Sequence, residues 1–236
     1  MLPIADYAIA LIVLAAVHLL AGQFRFAYAE PRSRWLSVAG GISVAYVFVH
    51  LLPELGEGQE AVNEGIPALD FLEDHVFILA LIGLSLFYAV ELASRRGRDE
   101  EGDMAAVPFW LSMTSYSIFN AAIGYLVVHR PEAMGLATYT VAMSLHFLVN
   151  DTGLRQHHRE QYDRVGRWIL TAAIGVGWLL GEMTEVSEAA LALITAFIGG
   201  GVILNVLKEE LPEERRSSFW AFALGAAGYT ALLQAV

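Results

Sequence analysis

The chain has 236 residues, 56% of them hydrophobic, with a mean hydropathy of +0.52 and a formal net charge of −11. So apolar a composition cannot be packed into a water-soluble globule of this size; it reads as a polytopic membrane protein, with the lipid bilayer as its first partner. The absence of cysteine excludes a disulfide framework and a thiolate metal site.

Apolar runs long enough to cross a bilayer recur along the whole chain and leave no room for a separate soluble domain. The expected fold is all-α: one transmembrane domain over 1–236 with eight spans near 5–22, 36–53, 75–94, 107–128, 134–151, 168–186, 189–207 and 218–235. No Lys or Arg precedes the first run, so it reads as a first spanning helix and not as a cleavable signal peptide. Arg25, Arg32 and Arg34 follow span one, and Arg95, Arg96 and Arg98 follow span three. Arg155, Arg159, Arg164 and Arg167 follow span five, and Lys208, Arg215 and Arg216 follow span seven. Only Arg130 falls on the other side, so these four loops are expected in the cytoplasm of a cell-membrane protein whose two termini face outward. The acids divide differently. Glu54, Glu57, Glu60, Glu64, Asp70 and Glu73 belong to the outer loop after span two, and Glu132, Glu182, Glu185 and Glu188 lie on the same side. A one-sign outer field concentrates cations, although a charge run also serves simply to solvate a loop.

Along the chain, span two closes in His50-Leu-Leu-Pro53-Glu54, where proline is expected to stop the helix and a carboxylate to reach the outer interface. Span four carries Ser112, Ser115, Tyr116, Ser117 and Asn120, with Tyr116, Asn120 and Gly124 spaced by four on one face. Span five ends in MSLHFLVND, where His146 and Asn150 share a face that Met143 and Tyr139 continue. An ionisable residue held away from water marks an ion or substrate path by default, or else bonds neighbouring helices together. Span six has Gly177-xxx-Gly181, a small-residue spacing that lets backbones approach, and then Glu182, which either guards an entrance or reaches to water. Span seven has Gly199-Gly200-Gly201, then Asn205, and ends in Lys208-Glu-Glu-Leu-Pro212-Glu213. LLPEL and ELPEE are similar helix stops on opposite faces, the trace of an inverted-topology repeat.

Eight spans, HLLPE closing span two, and FIGGGVILNVLKEELPEE in span seven together resemble the ZIP family of zinc and iron transporters. The resemblance runs along nearly the whole chain. It implies transport of a divalent metal toward the cytoplasm through a site between spans four and five, and homodimerisation. Family members usually write span four as HNxxDG and span five as HExPHE. Here the matching positions are Phe119-Asn120-Ala121-Ala122-Ile123-Gly124 and His146-Phe147-Leu148-Val149-Asn150-Asp151. Asn120, Gly124 and His146 match, Asp151 stands for a Glu, and Phe119, Ile123 and Phe147 replace a His and two carboxylates. The implied metal set is therefore His146, Asn150, Asn120 and Asp151, extended by Glu182 from span six or by His50 and Glu54 from span two.

Zinc or ferrous iron stripped of water needs about four imidazole or carboxylate ligands, and spans four and five keep no acid in their middle. The lining suits a neutral solute or a monovalent cation better. Two functions stand open: a transporter of zinc, iron or manganese with an altered site, or a ZIP-like protein that has lost metal transport. The second would act as a structural, sensing or partner-binding subunit, or carry another small solute. An enzyme is not expected, since HExxH is absent, nor is a cofactor beyond metal as substrate, nor a nucleic-acid partner.

Overall fold

The computed structural model describes residues 2–23, 34–66, 74–96, 107–129, 133–210 and 218–234. Among them it is all-helical, with eight helical rods and no strand. The first is α1 (Ile4–Leu20), closed by a 3-10 turn at Ala21–Gln23. The second runs as α2 (Arg34–Tyr46), a π turn (Val47–Leu51) and α3 (Leu52–Gly65). Then come α4 (His75–Arg96), α5 (Val107–Val127) and α6 (Ala133–Gln161). A π turn (Tyr162–Gly166) leads into α7 (Arg167–Met183), followed by α8 (Glu188–Glu210) and α9 (Phe219–Gln234).

Four rods, at Ile4–Gln23, Ser37–Gly65, His75–Ala93 and Glu188–Lys208, are long and apolar enough to cross a membrane. The others are shorter or more polar: α7 and α9 have 17 and 16 residues. Three serines and one asparagine interrupt α5, and α6 carries His146, Asn150 and Asp151.

Two expectations are corrected here. Pro53 does not stop its helix. A proline ring clashes with the carbonyl four residues back, here that of Val49. The preceding π turn shifts the bonding by one residue, so that the Leu52 N–H bonds to the Val47 carbonyl, and the rod continues to Gly65. The arginine segment after span five is likewise helix and not loop. Helix α6 passes Asp151 and breaks at His158 (φ −138°, ψ 47°), beyond which the chain turns into α7. The Arg155 guanidinium closes that corner, donating from Nε and Nη2 to Asp163 at 2.6 and 2.9 Å. These bonds hold the Asp163 carboxyl below the usual carboxylate range.

Three helix pairs approach backbone to backbone through glycines, and they do so in one geometry. Gly41 of α2 lies on the Phe222 carbonyl of α9, and Gly225 lies on that of Val38. Gly83 of α4 and Gly200 of α8 meet the carbonyls of Phe197 and Ala80. Gly124 of α5 and Gly177 of α7 meet those of Ile174 and Ala121. In each clasp a glycine faces the carbonyl three residues before its partner glycine, where any Cβ would overlap the oxygen. These are the close approaches that small residues permit, and Gly177 plays the packing role its spacing suggests. One apolar core joins all the rods, from Leu14 of α1 through Leu51, Phe119, Phe147 and Ile174 to Tyr229 of α9.

Candidate functional site

Helix α6 turns neighbouring faces toward two polar clusters. At 100° per residue His146 and Asn150 point one way and Phe147 and Asp151 the next. All four are buried.

On the first face, His146 sits between two amides. Its Nε2 lies 3.0 Å from Asn150 Nδ2 and its Nδ1 lies 3.4 Å from Asn205 Nδ2 of α8. A neutral imidazole donates from one nitrogen and accepts at the other, so one of the two amides must present its oxygen to the ring. The ring packs on Phe119, centroids 5.1 Å apart. Beside it opens a small cavity between α4, α5, α6 and α8, with about 40 Å³ of room inside it. Ser112, Ser115, Tyr116, Asn150 and Asn205 supply polar groups, and Phe87 and Phe119 supply apolar walls. Its formally charged lining residues are Glu91 of α4 and Lys208 of α8, whose Oε1 and Nζ are 3.3 Å apart. Its room is that of a few water molecules, and its lining joins hydroxyls and amides to aromatic walls.

On the second face stands a residue outside the expected set. His18, near the end of α1, bonds through Nδ1 to Asp151 Oδ2 at 2.7 Å and through Nε2 to Asn120 Oδ1 at 2.8 Å. The Asn120 amide nitrogen donates to the Tyr116 carbonyl at 2.7 Å, so its oxygen must face the imidazole and His18 Nε2 must carry a proton. A second proton lies between Nδ1 and the carboxylate. The pair is therefore neutral as a unit, an imidazolium on an aspartate or its proton-shifted form. His18 and Asp151 are 1% and 0% exposed, and Tyr162 donates to the His18 carbonyl at 3.2 Å. Phe147 separates the clusters, its ring 4.5 Å from that of His18. The sequence did carry a signal for His18: a lone histidine in an apolar run, LAAVHLL, needs a partner.

The expected metal set thus divides. His146 and Asn150 face the cavity, while Asn120 and Asp151 are engaged by His18. Phe119, Ile123 and Phe147, where the family pattern has ligands, are packed core. Glu182 is exposed at the opposite end of the bundle. His50 and Glu54 lie 3.8 Å apart at that same end. There Glu54, Glu57, Glu188, His129 and Thr195 line a second, more open pocket. The Leu211–Glu214 helix stop and Arg25, Arg32, Arg98, Arg130, Arg215 and Arg216 lie outside the described residues. Among the described residues, no group of three or more His, Cys, Asp or Glu is placed to hold a metal ion. Compared with protein-family models, with curated proteins and with solved structures, the chain matches none.

Proposed function

We propose that the protein is an eight-span membrane transporter of ZIP-like architecture whose inner cavity takes a small polar solute of no net charge in place of a divalent metal. The observation that carries this reading is the lining: His146 is held by two amides, and Glu91 and Lys208 already cancel each other. A divalent ion there would keep most of its charge uncompensated in a low dielectric. A neutral solute needs only the hydroxyls and amides that are present.

The architecture has support in the glycine clasps. The α2/α9 clasp and the α4/α8 clasp exchange if span two corresponds to span seven and span three to span eight, matching Gly41 to Gly200 and Gly83 to Gly225. Under that match Pro53 follows Gly41 at the same spacing at which Pro212 follows Gly200. An inverted repeat gives this pattern. The basic residues assign Lys208 and Arg155 to the cytoplasmic end and Glu54 and Glu188 to the outside, with both termini outside.

The test uses liposomes carrying the full chain, with the uncharged polyol erythritol as probe. Protein-dependent erythritol uptake, reduced at least tenfold by His146→Ala, is expected, with no saturable uptake of zinc, manganese or ferrous iron. Saturable metal uptake that requires His146 overturns the reading. A second reading, divalent metal transport, is favoured by the acidic outer pocket, which concentrates cations. It expects metal uptake that falls with Glu54→Gln. If neither probe enters, the structural or sensing role remains.

A further inference from the structure

We infer that the solute of the inner cavity is a small carboxamide, a planar molecule the size of urea with an acceptor at one end and N–H donors at the other. This rests on the carrier reading above and narrows its substrate class. The observation is the pair of asparagines that flank His146. Each lines the cavity and sets one polar atom of its amide against the ring, Asn150 on Nε2 at 3.0 Å and Asn205 on Nδ1 at 3.4 Å. Each therefore keeps its other polar atom. On Asn150, which is 6% exposed, that atom is Oδ1, buried and with no hydrogen-bond partner among the described residues. A buried amide oxygen left so is costly, and a donor in the cavity beside it removes the cost.

The imidazole fixes what the two spare atoms are. A neutral ring has one N–H and one lone pair, so it takes an oxygen from one amide and an N–H from the other. With Asn150 donating to Nε2, Asn205 presents its oxygen to Nδ1 and keeps its amino group. What remains for a solute is one amide oxygen and one amide N–H group. Moving the ring proton to the other nitrogen, with both amides turning over, only exchanges their places. The complement of one acceptor and one donor is a molecule that carries both. A carboxamide does, and its rigid plane holds them in fixed relation, so little freedom is lost on binding. Guanidinium has the same shape but donors alone, and would set N–H against N–H. Size narrows the class further. The cavity has about 40 Å³ of room, and a molecule of about four non-hydrogen atoms displaces the few waters that fit there. Phe87 and Phe119, packed edge to face at 5.4 Å, close its apolar side to anything larger.

The experiment compares uptake of radiolabelled urea, guanidinium and erythritol into liposomes containing the full chain, each measured against protein-free liposomes. Protein-dependent urea uptake at least tenfold above that of guanidinium and of erythritol is expected. In Asn150→Leu and in Asn205→Leu the urea-to-erythritol ratio should fall at least tenfold. A purely structural role for the two amides would lower uptake of both solutes together and leave the ratio as it was. Asn150→Ser and Asn205→Ser, too short to bond the ring and a solute at once, replace the Leu variants if those aggregate in detergent; the ratio should fall as far. Urea uptake no greater than that of guanidinium, or a ratio unchanged by these variants, overturns the carboxamide. If erythritol enters and urea does not, the carboxamide falls and the carrier stands. If neither enters, both fall.

Discussion

His18 and His146 are both buried and both lie beside Phe147, yet they are held in opposite ways. His18 has a carboxylate on one nitrogen and an amide oxygen on the other, so every proton on the ring is committed. His146 has two amides, which accept either tautomer by turning over, and it opens on a cavity. A buried imidazole locked by a counter-charge belongs to the scaffold; one held only by neutral dipoles stays free to change partners. The ZIP-like pattern names residues on both sides of this divide, Asp151 with the first histidine and Asn150 with the second.

The contrast breaks most visibly at Asp151. Replacing it with Ala leaves the His18 imidazole without its counter-charge in the core, and unfolding in detergent should show a loss of about 3–5 kcal/mol. The double variant His18→Leu with Asp151→Leu should lose less than Asp151→Ala alone, because no charge is stranded. A melting temperature unmoved by Asp151→Ala would show that the pair does not anchor α1 to α6.

The clasps come next. Gly177→Ala forces a Cβ into the Ala121 carbonyl, at a cost of about 1–3 kcal/mol. Gly175→Ala, two residues away with nothing within 4 Å, should be neutral or slightly stabilising, since alanine suits a helix better by about 1 kcal/mol. Equal melting temperatures for the two variants would contradict the α5/α7 packing.

A smaller stability effect is expected at His146. Its Ala variant gives up hydrogen bonds worth roughly 1 kcal/mol, while the proposed carrier role predicts an uptake at least tenfold lower. Stability loss as large as that of Asp151→Ala would place both histidines in the scaffold.

The smallest effect lies at the α6–α7 corner. The Asp163 carboxyl is lowered chiefly by the hydrogen bond from Arg155. A depressed carboxylate stabilises above its unfolded value, near pH 4, and that contribution is lost as pH falls through the folded value. Asp163 is 36% exposed, so solvent screening holds the effect to about 1 kcal/mol or less. Asp163→Asn should flatten stability against pH below about pH 4 and change little at neutrality. Identical acid titrations of the two proteins would remove the corner clasp from the account.

Much of the scaffold was legible from local rules. Apolar run lengths located all eight rods to within a few residues at most ends, and Gly177-xxx-Gly181 announced a packing face. Single-residue rules failed where a nearby stretch of the chain altered the outcome. Pro53 reads as a stop because a proline removes one backbone bond, but the π turn before it restores the ladder. Arg155 and Arg159 read as loop because they are charged, yet the Arg155–Asp163 bonds close a helical corner there.

Hydropathy and the distribution of charge along the chain therefore determined that this is an all-helical protein with rods suited to a bilayer, because burying apolar surface is a matter of composition and period. Which polar residues meet was decided only in three dimensions. His18 and Asp151 stand 133 positions apart and become partners, while the adjacent Asn150 faces the inner cavity and not that pair. Helical rotation of 100° per residue separates neighbours in the chain, and helix packing joins residues that no local pattern relates.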